Sequence, residues 1–182
     1  MCSSDLCVPF TLALYFFVGR HHDPEHIPDE EGPQRGSLSG QYWIAWIGLT
    51  FSIAAEFAFA YWSSALVHLR TGLSPARSIT LVLGYPLGMV IGRWFGTYVL
   101  PHLSRDRRLT ILITLQFLGF VIVWNSHQIL LSFLGILLFG LGTSMQFALT
   151  SLRILHFGGD KPDLAMGKSS LAAGIAIGGS PF

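Results

Sequence analysis

Gly84-Tyr85-Pro86-Leu87-Gly88-Met89-Val90-Ile91-Gly92-Arg93-Trp94-Phe95-Gly96 decides the fold. Four glycines recur every fourth residue inside an apolar stretch, so they share one helix face and let a neighbouring helix approach closely. The stretch leads to the basic run Arg105-Asp106-Arg107-Arg108, and a second apolar run begins at Leu109. Basic residues just beyond an apolar helix mark its cytoplasmic end. Together these features predict a packed, oriented helix in a membrane bundle.

Working outward, the whole chain has the same character. Hydrophobic residues make up 51% and charged residues 12%, about half the usual charged share of roughly 25%. Mean hydropathy is +0.54. The apolar residues lie in long runs rather than narrow stripes, which makes lipid the expected solvent. Net charge is +1 and gives no electrostatic case for a nucleic-acid partner.

The apolar runs predict an all-α, multi-pass transmembrane bundle. Residues 7–19 read as a truncated transmembrane helix, being too short for the roughly 20 residues a span needs. Residues 20–40 form a polar loop. Full spans follow at 41–68, 76–100, 109–124 and 128–155, with a last apolar run from 169. Ser74-Pro75 reads as a helix start, Pro101 as a stop, 101–108 and 156–168 as loops, and Asn125-Ser126-His127 as a tight turn. Pro86 is expected to kink the ladder helix. If the basic run is cytoplasmic, loops 20–40, 101–108 and 156–168 are too. Nine of the eleven Lys and Arg lie in or beside them, leaving only Arg70 and Arg77.

The opening Met1-Cys2-Ser3-Ser4-Asp5-Leu6 resembles the translation of a common short-read sequencing adapter read from a GTG start. The expectation is that residues 1–6 are non-native, that the true chain begins upstream, and that Cys2 and Cys7 form neither a disulfide nor a metal pair. A native start is the alternative. The opening lacks the basic segment of a secretory signal.

This order of elements resembles the C-terminal half of a major facilitator superfamily transporter. Gly92-Arg93-Trp94-Phe95-Gly96 with Arg105-Asp106-Arg107-Arg108 is similar to the degenerate second copy of that family's cytoplasmic motif. The motif's acidic residue falls near Leu100, which cannot form its charge pair. Residues 54–62, Ala-Ala-Glu-Phe-Ala-Phe-Ala-Tyr-Trp, look like helix seven of bacterial members. The resemblance implies a fragment running from the end of helix 6 to the start of helix 11 of a twelve-helix fold. Residues 20–40 would be the cytoplasmic loop between halves, and residues 41–182 a truncated C-terminal half. It implies a multi-pass protein of the bacterial cytoplasmic membrane that moves a small solute by alternating access. Its partners would be the lipid bilayer, the solute, protons and the missing N-terminal six-helix half. No enzymatic activity, cofactor or metal is expected. The rival readings are a membrane-embedded enzyme and a non-transporting structural or sensory membrane protein.

Glu56 is the sole acidic residue inside an apolar run. A charge at mid-bilayer costs about 2.5–3.5 kcal/mol on insertion scales, so Glu56 should face a cavity or a partner. Gly48, Ser52, Glu56, Ala60 and Ser64 share one face at i+4 spacing. Glu56 is either a proton-exchanging group at a central cavity or a structural carboxyl held by a neighbouring helix. Ser52, Tyr85, Gln116 and Gln146 are candidates for the same cavity, and bridging between helices is the other role open to them, as to Thr143 and Ser144. Gly84 and Gly88 are packing residues, and Arg93 is expected to pair with Asp106. His21, His22 and His26, with Asp23 and Glu25, lack zinc-site spacing and read as a solvated linker. Gly167-Lys168-Ser169 lacks the upstream glycine of a phosphate loop.

Overall fold

Ser39 starts the first described helix: its Oγ accepts the Tyr42 N–H at 3.2 Å. Helix α1, Gly40–Thr71, then runs for 32 residues. That is about 48 Å at 1.5 Å per residue, more than the roughly 30 Å of a hydrocarbon core, so it must tilt or protrude. It stops at Gly72, whose φ of 69° is left-handed and whose N–H caps the His68 carbonyl. The structure, a computed structural model, describes residues 36–99 and 102–180. The expectations for residues 1–35, Leu100 and Pro101 lie outside it.

Ser74 and Pro75 open the next helix as anticipated, though the Ser74 side chain makes no capping bond. The span has two pieces, α2 (Pro75–Val82) and α3 (Gly84–Val99). Pro86 has no N–H for the Val82 carbonyl four residues back, and the helix breaks at Leu83, whose own N–H turns to Thr80 O at 3.2 Å. Helix α4, Arg105–Asn125, follows. Its start corrects the loop expected over 101–108. Ser104 is the cap residue, Asp106 lies in the first turn where the helix dipole favours an anion, and the basic run is helical.

The span expected at 128–155 is also broken. Helix α5 covers Ile129–Thr143 and α6 covers Gln146–Gly158. Between them Met145 sits at φ −121°, ψ 0°, outside helical geometry. The loop expected at 156–168 shrinks to three residues, because α6 continues to Gly158 and α7 already starts at Pro162 (Pro162–Gly179). Proline fits the first turn of a helix, and Asp163 complements its dipole.

Among the described residues there is no strand. Four helical stretches among the described residues are long and apolar enough to cross a membrane: Gly40–Thr71, Pro75–Tyr98, Arg105–Asn125 and Ile129–Gly158. Their outer faces suit lipid. Ile44 (74% exposed), Phe51 (71%), Leu69 (79%) and Tyr98 (70%) stand among many large exposed apolar side chains, far beyond the scattered apolar surface of a soluble monomer.

The stretch α5–α6 is the most enclosed of the four, about half buried, where the other three are only about a quarter buried. Glycines explain how. On one side, Gly84 meets the Phe133 ring, Gly88 meets the Leu137 carbonyl, and Gly140 of α5 meets the Tyr85 carbonyl of α3. On the other side, Gly119 of α4 lies against Gly135 and Phe139, while Gly142 lies against Leu112 and Gln116. The ladder is thus one of two glycine seams on the same helix.

The helix ends gather in two groups. At one end, Tyr42 Oη donates to Ala165 O (2.9 Å) and Trp46 Nε1 to Lys168 O (2.8 Å), joining the start of α1 to the start of α7. Ser39 Oγ donates to Phe157 O of α6 at 3.3 Å. Arg153 Nη1 of α6 lies 3.3 Å from Asp106 Oδ1 of α4. At the other end, the Arg70 guanidinium lies 5.4 Å over the Trp124 ring, and His127 Nδ1 is 3.1 Å from Arg70 O.

Candidate functional site

Five polar residues of the spans form two hydrogen-bonded groups. The first centres on Gln146, at the first turn of α6 and only 3% exposed. Its Nε2 donates to Gly142 O at 3.0 Å, the carbonyl one helical turn before it. The side chain therefore braces the break between α5 and α6. The same Nε2 donates to Gln116 Oε1 at 2.7 Å, and Ser52 Oγ donates to Gln146 Oε1 at 2.8 Å. Three helices, α1, α4 and α6, each contribute one polar residue.

The bond to Gly142 O also fixes which way the amides point. A backbone carbonyl only accepts, so the atom facing it must be the nitrogen. That leaves Oε1 of Gln146 for the Ser52 hydroxyl and requires an oxygen from Gln116. Gln116 then turns its Nε2 away, and this atom is buried with no hydrogen-bond partner. A buried unpaired donor costs about 1–3 kcal/mol.

The second group joins Glu56 and Tyr85. Tyr85 Oη of α3 donates to Glu56 Oε1 of α1 at 2.9 Å. Glu56 is half-buried. Beside the pair, Phe59 stacks on Phe139 with centroids 3.7 Å apart, and the Tyr85 ring lies 6.0 Å from each. This aromatic cluster ties α1, α3 and α5 together and holds the phenol against the carboxyl. Ser52 and Glu56 lie one helical turn apart, so α1 carries both groups on adjacent turns.

A cleft of about 720 Å³ opens beside the Gln146 group, between α1, α4 and α6. Ser52, Gln116 and Gln146 line its deep part, and Asp106 and Arg153 line its mouth. A second groove of about 690 Å³, almost wholly apolar, lies between α1 and α4, walled by Phe59, Trp62, Leu69, Phe117 and Trp124. Ala55, Ile113 and Gln116 border both.

Other expected residues go elsewhere. Arg93 does not pair with Asp106. Its Nε donates to Ser144 O at 3.1 Å, across the ladder contact and onto the broken helix, because Gly92 packs directly against Ser144. Asp106 instead pairs with Arg153. Gly96 is buried, while Arg105 and Arg107 are exposed on the first turn of α4. Arg108 Nε donates to Leu103 O at 2.8 Å. Among the described residues no three His, Cys, Asp or Glu come together as a metal site, and the histidine cluster at 21–26 lies outside them.

The sequence reading missed the cleft-lining role of Thr150 and Arg153. The signal was present: Gln146, Thr150, Arg153 and Phe157 fall at i, i+4, i+7 and i+11, one stripe of a helix. Comparison with protein-family models, curated proteins and solved structures gave no match.

Proposed function

We propose that the chain forms part of a secondary active transporter of the major facilitator superfamily, in a bacterial cytoplasmic membrane, with its basic helix ends inside. It supplies one wall of a solute pathway and works by alternating access against a second bundle. Proton movement through Glu56 drives it.

One observation carries the reading: Ser52, Gln116 and Gln146 are hydrogen-bonded across three helices within the spans and border a cleft, and one turn along α1 Glu56 is bonded to Tyr85 of α3. Polar groups inside a bilayer are costly and mark solute or ion paths when they face a cavity. The Glu56–Tyr85 bond gives the carboxyl a partner that it can exchange when the helices move. The breaks at Leu83 and at 144–145 divide two spans into segments that can tilt separately.

The test is solute-driven current in liposomes holding the full-length protein, with sugars, organic anions, peptides and lipophilic drugs offered in turn. At least one class is expected to drive a pH-dependent proton current that Glu56→Gln abolishes. Unchanged, still pH-dependent uptake by Glu56→Gln refutes the role of Glu56. Absence of solute-driven flux with every class refutes the transporter reading.

A further inference from the structure

The apolar groove between α1 and α4 ends at a cation. Its walls are large, Trp62 and Leu69 of α1 and Phe117 and Trp124 of α4, while Ala58 and Ala65 leave space between them. The two helices touch only sparingly. From Ile113 to Trp124 the groove follows α4 for about 16 Å at 1.5 Å per residue. That is the depth of one leaflet's hydrocarbon, half of about 30 Å.

Trp124 closes this end of the groove, and the Arg70 guanidinium lies 5.4 Å over its ring. Among the described residues that guanidinium has no carboxylate or hydrogen-bond partner. No Asp or Glu occurs from Phe57 to Arg105 or from Arg107 to Gly159. The ends of α1 and α4 and the start of α2 therefore carry Arg70 and Arg77 with no acid among the described residues to offset them. Arginine matches phosphate oxygens with paired donors, and basic groups at a membrane surface attract anionic lipid headgroups.

We propose that the groove holds one acyl chain of an anionic phospholipid, with its phosphate on Arg70. An acyl chain as long as a leaflet is deep fits the length of the groove, and the phosphate supplies the missing anion. A zwitterionic headgroup brings an ammonium too, and no carboxylate stands near Arg70 to receive it. The site holds whether or not the protein transports a solute. It requires only that the four apolar stretches span a bilayer.

The experiment places full-length protein in phosphatidylcholine bilayers with rising fractions of phosphatidylglycerol brominated on its acyl chains, whose bromines quench tryptophan on contact. Part of the emission should be lost at a fraction about tenfold lower than with brominated phosphatidylcholine or phosphatidylethanolamine, as a charged hydrogen bond would give. That part should vanish in Trp62→Phe/Trp124→Phe. Arg70→Gln should remove the preference for phosphatidylglycerol, while Arg77→Gln, which loses the same charge, should keep it. Ala65→Leu should narrow the groove and weaken the quenching with Arg70 intact. The comparison of lipids in wild type needs no variant, so it decides even where a variant fails to fold. Equal quenching by all three brominated lipids means ordinary boundary lipid and overturns the site. An unchanged preference in Arg70→Gln, or its loss in Arg77→Gln as well, overturns it too. Emission from Trp62 and Trp124 that no brominated lipid quenches shows a protein segment over the groove and likewise overturns the proposal.

Discussion

Replacing Gly88 with alanine tests whether the ladder is a true backbone contact. A Cβ on Gly88 would lie 3.0 Å from Leu137 C and from Leu141 N, and closer still to the Leu137 carbonyl oxygen. All three are backbone atoms and cannot rotate away. To recover ordinary separations of about 3.5–4.0 Å from the nearest of these atoms, α3 and α5 must part by about 1.5 Å. Overpacking of this kind costs about 1–3 kcal/mol, set against a gain in helix propensity of up to about 1 kcal/mol for alanine over glycine. Gly88→Ala should therefore lose about 1–2 kcal/mol. Gly140→Ala should lose a similar amount, because its Cβ would strike the Tyr85 carbonyl. The double variant should lose less than the sum, since one separation of the helices relieves both clashes. Gly174→Ala is the control: nothing lies within 4 Å of that position, so it should be neutral or slightly stabilising. Unfolding in mixed micelles, followed by helical circular dichroism, reads all four. Wild-type stability for Gly88→Ala, or equal damage from Gly174→Ala, refutes the reasoning.

Gln146→Leu removes the group that satisfies Gly142 O, Ser52 and Gln116 together. It should cost about 1–3 kcal/mol in the same assay, and stability equal to wild type would count against the bracing role of this amide. Arg153→Gln breaks the pair with Asp106, whose side chains are 45% and 79% exposed. Such pairs are worth about 0–1 kcal/mol, so its melting should barely move, and a larger loss would mean that the pair holds α4 to α6.

The spans were legible because lipid demands long apolar runs, and because Ser74-Pro75 and Asn125-Ser126-His127 punctuate them. The break at Leu83 follows from Pro86. The break at 144–145 carries no proline. It lies in a run of Gly, Thr and Ser residues that membrane helices also accept, so only the packed structure reveals it. The early start of α7 was written in Lys161-Pro162-Asp163, but hydropathy masks a helix whose first turn is polar. The two polar groups were legible as candidates, since few polar residues occur in these spans. Their pairing was not, because it depends on which faces of α1, α3, α4 and α6 meet. The second glycine seam was hidden for the same reason: Gly119, Gly135 and Gly142 lie on different helices and make no ladder in sequence.

The central claim is an oriented membrane bundle with its basic helix ends inside, and cysteine labelling in intact bacterial cells tests it most directly. With Cys2 and Cys7 replaced by serine, single cysteines would stand at Ser74→Cys, His127→Cys, His102→Cys and Asp160→Cys, all exposed positions. A membrane-impermeant maleimide should label positions 74 and 127 in intact cells, and positions 102 and 160 only after permeabilisation. Equal labelling of all four in intact cells, or the reverse pattern, would contradict the account.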